Sequence, residues 1–192
     1  SDVCSSDLPT INDSVLIEAN VIVTVDIDVA ECASIKLGPK TGNAVTTLSF
    51  NAGSALSVNG NVALGDASNA NRRGAINMSN GGLLVCAGLV LNNTGVNTFT
   101  AGTGEVSLTG NNIIPATVFT SFNKLTIAGG STTLSAPTNI NTLYVGVGSV
   151  IDQGTNLITL TGDFINAGGT TSGSGGLAFS LTANQLIDSY TT

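Results

Sequence analysis

The stretch GEVSLTGNNIIPATVFTSFNKLTIAGGSTTLSAPTNINTLYVG (residues 104–146) contains one short pattern three times. Two apolar residues flank a polar one in Val106-Ser107-Leu108, Leu125-Thr126-Ile127 and Leu143-Tyr144-Val145. Such alternation predicts a short β-strand with one buried face, because successive side chains of a strand point to opposite sides. Consecutive triplets start about 18–19 residues apart, which predicts one triplet per turn of a repeating backbone coil.

The same pattern occurs outside this stretch. Further triplets are Ile35-Lys36-Leu37, Leu48-Ser49-Phe50, Leu56-Ser57-Val58 and Leu177-Ala178-Phe179. The last triplet starts two coils of about 17 residues after Leu143 in our interpretation. Glycine, asparagine, serine and threonine separate the triplets, and no apolar pattern recurs at helical spacing. The chain is therefore predicted to be all-β, a parallel β-solenoid (right-handed β-helix) with about 17–19 residues per coil.

A longer similarity overlies the coils. The segment FTAGTGEVSLTGNNII (99–114) returns as TTSGSGGLAFSLTANQLI (170–187). Gly102 matches Gly173 and Val106 matches Leu177, and both matches have the same offset in the chain. Because this offset of about 71 residues corresponds to roughly four coils, we expect a longer structural unit of that length.

The first eight residues differ in character from the rest of the chain. SDVCSSDL (1–8) can be back-translated as TCA GAC GTG TGC TCT TCC GAT CT, which matches the end of a common sequencing adapter. We interpret residues 1–8 as a non-native, adapter-derived segment, to be excluded from fold reasoning. The second copy of the 71-residue unit stops at Tyr190-Thr191-Thr192, where its continuation is due. Residues 9–192 are thus predicted to be a single solenoid domain, truncated at both ends.

Charge and hydropathy exclude two classes of function. The 192 residues include 12 acidic and 5 basic ones, a net charge of −7, with neither His nor Trp. Without a basic patch beyond the isolated pair Arg72-Arg73, no nucleic-acid partner is expected. The longest apolar run, LLVCAGLVL (83–91), is far shorter than the roughly 18 residues of a membrane-spanning helix, so none is predicted.

The sequence predicts no catalytic, cofactor-binding or metal site, and therefore no cofactor. A polysaccharide-cleaving site needs paired carboxylates or a cation with a basic residue. The best candidates, Asp26, Asp28 and Glu31 in TVDIDVAE, would share a strand face and form at most a weak cation site. We interpret them instead as the solvated end of a strand that enters a turn.

Cys32 and Cys86 lie in apolar, strand-like surroundings without metal-ligand spacing. Their separation in the chain equals about three coils, or roughly 14 Å of stacked strands. A disulfide spans less than about 7 Å between Cα atoms. We therefore expect two unlinked, buried cysteines.

Several motifs resemble a known group of proteins. FxxGxGxVxL (99–108), FxxFNKLTI (119–127) and the opening PxxNDxVxI (9–17) resemble repeats of large, secreted β-helical surface proteins of Bacteroidetes-type bacteria. Many members of that group carry a type IX secretion sorting domain. The resemblance implies export, a β-helix and surface display, and it supplies no catalytic residue.

Together these observations predict a non-catalytic structural or adhesin segment of a secreted or cell-surface bacterial protein, located outside the cell. The alternatives are the non-catalytic β-helix portion of a carbohydrate-active enzyme and an ice-binding solenoid, although no Thr-x-Thr motif recurs at the coil period. Glycans or other surface proteins are the expected partners, and exposed solenoid ends are expected to allow self-association. The stretch GDASNANRRGAINMSNGG (65–82) is the predicted protruding contact loop, and Tyr144 is the one outward-facing aromatic residue of the triplets.

Overall fold

The structure is a computed structural model that describes residues 9–18, 20–38, 44–180 and 186–189. The predicted adapter segment Ser1–Leu8 and the predicted cut end Tyr190–Thr192 lie outside the described residues. Within the described residues all regular structure is β-strand, without a helix. The strands pair in parallel and stack into a β-solenoid of about eight turns, about 22 residues apart, which confirms the predicted fold class.

Twenty strands make up the described part of the solenoid. In chain order they are β1 (Ser14–Ile17), β2 (Ile22–Val25), β3 (Ala30–Cys32), β4 (Ser34–Leu37), β5 (Val45–Phe50), β6 (Ala55–Leu64), β7 (Arg73–Asn77), β8 (Leu83–Leu91), β9 (Thr98–Thr100), β10 (Glu105–Leu108), β11 (Asn112–Ile114), β12 (Ser121–Ile127), β13 (Ser131–Leu134), β14 (Thr138–Val145), β15 (Val150–Asp152), β16 (Ile158–Leu160), β17 (Phe164–Asn166), β18 (Thr170–Ser172), β19 (Leu177–Phe179) and β20 (Ile187–Ser189).

The strands stack on three faces, and each turn of the chain crosses all three. Face 1 comprises β3, the first part of β6 and of β8, β10, the second part of β12 and of β14, β17 and β20. Face 2 comprises β1, β4, the second part of β6 and of β8, β11, β13, β15 and β18. Face 3 comprises β2, β5, β7, β9, the first part of β12 and of β14, β16 and β19. Long strands such as β6 turn a corner from one face to the next, and β6 does so at a register shift between Val58 and Asn61.

The predicted coil length holds only in the middle of the chain. Val106 pairs with Leu125 and Leu125 with Leu143, in agreement with the predicted step of about 18–19 residues. Leu143 then pairs with Phe164, whereas Leu177 pairs with Ile158 on face 3. The prediction of two 17-residue coils between Leu143 and Leu177 is therefore wrong, because the two residues belong to different faces.

Coils near the N-terminus are longer than predicted. Ala55 pairs with Leu83, a step of about 28 residues, and Leu83 pairs with Glu105, a step of about 22 residues. The extra length lies in the connection between β6 and β7, which joins face 2 to face 3. A solenoid tolerates such insertions at its corners, because the stacked strands on either side keep their register.

The 71-residue similarity does not reflect equivalent positions in the solenoid. Val106 lies on face 1, paired with Leu84 and Leu125, whereas its sequence match Leu177 lies on face 3. The two segments share a local feature instead, a strand followed by a glycine turn and a second strand. Gly102 and Gly173 both have a positive φ, 50° and 104°, which glycine adopts at little cost. Such a turn fits any corner, so the expected 71-residue structural unit is wrong.

Inward side chains form continuous ladders through the solenoid core. On face 1 one ladder runs through Cys32, Val58, Cys86, Leu108, Ile127 and Val145, all of them buried. Cys32 and Cys86 are two rungs apart, not three, since only Val58 separates them. The distance of about 10 Å still exceeds disulfide reach, and both cysteines are free, as predicted.

Asparagine and glycine stabilise the corners in different ways. All described residues with positive φ are glycines, so asparagine does not supply left-handed corners in this part of the chain. Asparagine side chains bind backbone groups instead: Asn77 Oδ1 accepts from the Ser79 N–H at 3.1 Å, and Asn111 Oδ1 accepts from the Ser131 N–H at 2.9 Å on the next rung. These bonds satisfy backbone donors at places where the strand ladder is interrupted.

Candidate functional site

The acidic residues singled out in the sequence do not assemble a cation site. Asp26 and Asp28 lie in the connection between β2 and β3, so they do not share a strand face as supposed. Both are exposed, and so is Glu31 on β3. Among the residues that the structure describes, no three His, Cys, Asp or Glu side chains come close enough to hold a metal ion.

The predicted contact loop is shorter than residues 65–82. Strand β7 (Arg73–Asn77) on face 3 divides the stretch into a loop at residues 65–72 and a short turn at residues 78–82, and the loop at 65–72 is the longer of the two. Asn93, one rung further along the chain, holds this loop in place. Its Nδ2 donates to the carbonyl oxygens of Asp66 at 3.2 Å, Asn69 at 3.0 Å and Arg72 at 2.8 Å. The loop is therefore a bonded corner of the solenoid.

The charged side chains of the loop, Asp66 and Arg72, also form contacts within it. The Asp66 carboxylate accepts from the Ser68 N–H at 2.9 Å and from the Ser68 hydroxyl at 2.8 Å, and these two bonds lower the pKa of Asp66 to about 2. The Arg72 guanidinium lies 3.3 Å from the same carboxylate. One of the two arginines is thus paired with an acid, which leaves the loop without a basic patch.

Tyr144 occupies the outward position that the triplet predicted. It lies on face 1 between Thr126 and Ile165 of the neighbouring rungs and is half-buried. Neither neighbour is aromatic or charged. Tyr144 thus lies in a row of outward side chains in which its two paired neighbours provide no second aromatic ring for a ligand.

A depression of the surface lies where the sheet of face 3 is interrupted. Among the described strands, β9 pairs only with β7, and the next pairing on face 3 is that of β12 with β14. The connection from β11 to β12 contains a turn in which the Phe119 N–H donates to the Pro115 carbonyl at 3.2 Å. A groove of about 450 Å³ lies at this unpaired place, with residues of β9, β12 and β14 among its lining.

Phe99 and Phe122 line the floor of this groove, and the buried Phe119 packs against Phe99. The centroid of the half-buried Phe99 ring lies 5.1 Å from that of Phe119 and 5.3 Å from that of Phe122. Phe119 and Phe122 are buried, whereas Phe99 continues the inward ladder of Leu48 and Ile76 and is only half-buried, because no described strand pairs with β9 on the far side. Contact among the three rings thus joins the two rungs where no backbone pairing of β9 with β12 is found among the described strands.

Uncharged polar side chains form one wall of the groove. Asn123, Asn141 and Thr161 lie on three successive rungs at the corner between faces 3 and 1. Asn123 Nδ2 donates to the Gly104 carbonyl at 3.3 Å, Asn141 Nδ2 to Asn123 Oδ1 at 3.4 Å, and the Thr161 hydroxyl to Asn141 Oδ1 at 3.5 Å. We call these three residues the corner ladder.

The sequence contained a partial signal for this groove. Asn123 and Asn141 each stand two residues before a triplet, those starting at Leu125 and Leu143, so their stacking follows from the regular spacing of the triplets. Phe99 gave no comparable signal, because its approach to Phe119 and Phe122 depends on the turn between β11 and β12. The stacking of Asn123 on Asn141 thus follows from the spacing of the triplets, whereas the depression beside it does not.

The N-terminal end of the described solenoid has an open apolar surface. A second depression of about 380 Å³ exposes part of the core there, with Val15, Val25 and Ile27 among its lining residues. The inward residue Val23 on the same turn is 38% exposed, whereas its partner Leu48 on the next turn is 1% exposed. The first turn thus lacks, among the described residues, the stacked neighbour that covers each inner turn.

Comparison with known proteins supplies no family for the chain. It matches no protein-family model, no curated protein sequence and no solved structure. The described residues contain no helix with the length and hydropathy needed to cross a membrane. Any function must therefore be argued from the solenoid and its surface.

Proposed function

We propose that this chain is a non-catalytic structural or adhesin segment of a secreted or cell-surface bacterial protein. The observation that carries the proposal is the uninterrupted stacking of face 1, which runs through paired strands from β3 to β20. Seven rung spacings give this stack a length of roughly 34 Å. Stacked turns resist bending, and their stability sums over neighbouring rungs, which suits a spacer or a display scaffold.

The surface chemistry supports the same proposal. Charged residues make up only 9% of the sequence, and those on the described surface are scattered or paired, as Lys124 is with Glu105 at 2.9 Å. Most connections between strands are short, which leaves few sites for proteases. Short connections and bonded corners protect a chain from proteases, which is useful to a protein that functions outside the cell.

The two alternatives gain no specific support from the described residues. A non-catalytic part of a carbohydrate-active enzyme would have the same solenoid, and only a catalytic neighbour in the full gene would distinguish it. An ice-binding surface needs regular threonine rows on a flat face. Face 3 has Thr98 and Thr100 on one rung, but the paired positions on the rung before it are Ala75 and Asn77.

Localisation in cells that carry the gene tests the proposal. Antibodies raised against the recombinant chain are applied to intact and to permeabilised cells, with a cytosolic protein as the matched control. We expect equal labelling of intact and permeabilised cells, and loss of the signal when intact cells are treated with proteinase K. Labelling that requires permeabilisation would contradict a surface or secreted location.

A further inference from the structure

We propose that the groove between β9 and β12 binds a neutral, extended β-linked glycan chain, laid along the solenoid axis over the Phe99 ring and against the corner ladder. The inference specifies a ligand for the adhesin function proposed above, and its biological role rests on that proposal. Binding of the glycan itself depends only on the residues of the groove.

The charge of the groove selects the class of ligand. The described residues that line it are apolar, amide-bearing or hydroxyl-bearing, and none is charged. Lys124 follows Asn123 in the chain, but its ammonium group lies 2.9 Å from the Glu105 carboxylate on face 1. A groove without charge cannot compensate the desolvation of an anion or a cation, so an uncharged ligand with many hydroxyl groups fits best.

Weak internal bonds leave the corner ladder available to a ligand. Its three hydrogen bonds measure 3.3, 3.4 and 3.5 Å, at or beyond the long limit of well-formed bonds. Asn141 and Thr161 are exposed, and their amide and hydroxyl groups can both donate and accept. Sugar hydroxyl groups can therefore replace these long bonds with shorter ones at little cost to the solenoid.

The spacing of the corner ladder favours an extended chain over a single sugar. Successive rungs are about 4.8 Å apart, which is close to the length of one hexose unit in an extended β-1,4-linked glycan. Neighbouring units of such a chain are turned over relative to each other, so Asn123 and Thr161, two rungs apart, would contact units of the same orientation, and Asn141 would contact the opposite edge of the unit between them. An α-1,4-linked glycan coils, so its hydroxyl groups do not follow a straight ladder. Phe99 points toward the core but lines the groove and is half-buried, so the apolar face of one sugar can pack against the part of the side chain that stays accessible.

Isothermal titration calorimetry of the recombinant chain tests the inference. The probes are cellopentaose, xylopentaose and mannopentaose, with maltopentaose as the matched α-linked control. We expect at least one β-linked probe to bind, with an affinity that rises from its disaccharide to its trisaccharide and then levels off, because the ladder spans three rungs. If no β-linked probe binds at millimolar concentration, or if maltopentaose binds equally well, the proposal is wrong.

Two groove variants and one control locate the binding. Asn141→Ala and Thr161→Val should each weaken binding of the β-linked probe by about five- to tenfold, because each removes hydrogen-bonding groups from the ladder. Asn51→Ala changes another exposed asparagine that follows a face 3 strand, and it should leave the affinity unchanged. Unchanged melting temperatures would show that the variants fold.

Equal affinity of the wild type and both groove variants would place the binding elsewhere and overturn the inference. Such a result leaves the surface-localisation experiment unaffected. Failure of the groove and failure of the proposed function are therefore distinguishable.

Discussion

At the scale of single residues, the ladders tolerate polar side chains at a few core positions. Thr132 lies on face 2 between Asn112 and Ile151 and is fully buried. Within the described part of the chain, neither the Thr132 hydroxyl nor Asn112 Nδ2 has a hydrogen-bond partner. A buried polar atom without a partner reduces the stability of the folded state. This part of face 2 is therefore less stable than an apolar ladder would be.

Replacing this threonine should stabilise the protein. Thr132→Val keeps the β-branched shape but removes the unpartnered hydroxyl, so we expect the free energy of unfolding to rise by about 1 kcal/mol. Thr133→Val, on the outward side of the same strand, is the control and should change it by less than about 0.5 kcal/mol. Urea denaturation curves provide both values. A loss of stability in Thr132→Val would mean that the hydroxyl has a partner after all.

The two ladder cysteines predict a specific pattern of thiol chemistry. Burial raises the pKa of Cys86 to about 12 and that of Cys32 to about 11, from an ordinary value near 9. A Cys4→Ser variant keeps only Cys32 and Cys86 of the three cysteines. We expect neither thiol to react with Ellman's reagent at pH 8 while the protein is folded, and both to react in denaturant.

The same shift gives a pH dependence with a defined sign. The unfolded thiol ionises near pH 9 while folded Cys86 stays neutral, so stability is complete below pH 9 and declines as the pH rises toward 12. Cys86→Val should reduce this decline. If both proteins lose stability equally between pH 9 and 11, Cys86 is not its cause.

At the scale of strands and corners, the sequence predicted the elements better than their arrangement. The triplets at Ile35, Leu48 and Leu56 are all strands with alternating burial, as predicted. They nevertheless lie on faces 2, 3 and 1, respectively. On each face a strand buries alternate residues, so every face produces the same apolar–polar–apolar pattern. A local pattern that is identical on all faces cannot reveal the face to which a strand belongs. The regular steps between triplets were visible only where consecutive triplets happened to share face 1.

The hydrogen bonds that asparagine side chains make at the corners could not be predicted from the sequence either. Asn93, which bonds the 65–72 loop, allows their contribution to stability to be measured. Asn93→Ala removes three bonds to carbonyl groups of the 65–72 loop, and we expect it to lower the free energy of unfolding by about 1–3 kcal/mol. Trypsin should then cleave the loop after Arg72 or Arg73 much faster than in the wild type. Asn92→Ala is the matched control, since the Asn92 side chain makes one long bond of 3.4 Å to the Gly65 carbonyl. Equal cleavage rates in the two variants would contradict a special role for Asn93.

At the scale of the whole molecule, stability should follow position along the stack. Inner turns are covered on both sides by neighbouring turns, while the described ends are covered on one side only. Exposure follows the same gradient: Leu125 and Leu143 are fully buried in the middle, whereas Phe179 near one end is 41% exposed. In a solenoid each turn interacts only with its neighbours, so a local change is felt locally.

Shortening one core side chain in the middle of the stack and one near its end measures how stability varies along the stack. Leu125→Ala removes a buried side chain between two rungs and should cost about 2–5 kcal/mol of unfolding free energy. Leu177→Ala removes a half-buried side chain next to one neighbouring rung, Ile158, and should cost about 1 kcal/mol or less. Hydrogen exchange should show the same order, with amides of β10, β12 and β14 exchanging slowest and those of β1, β2 and β19 fastest. Equal costs for the two variants, together with uniform exchange, would instead indicate that the whole stack unfolds as one cooperative unit, and the description by neighbouring turns would then be wrong.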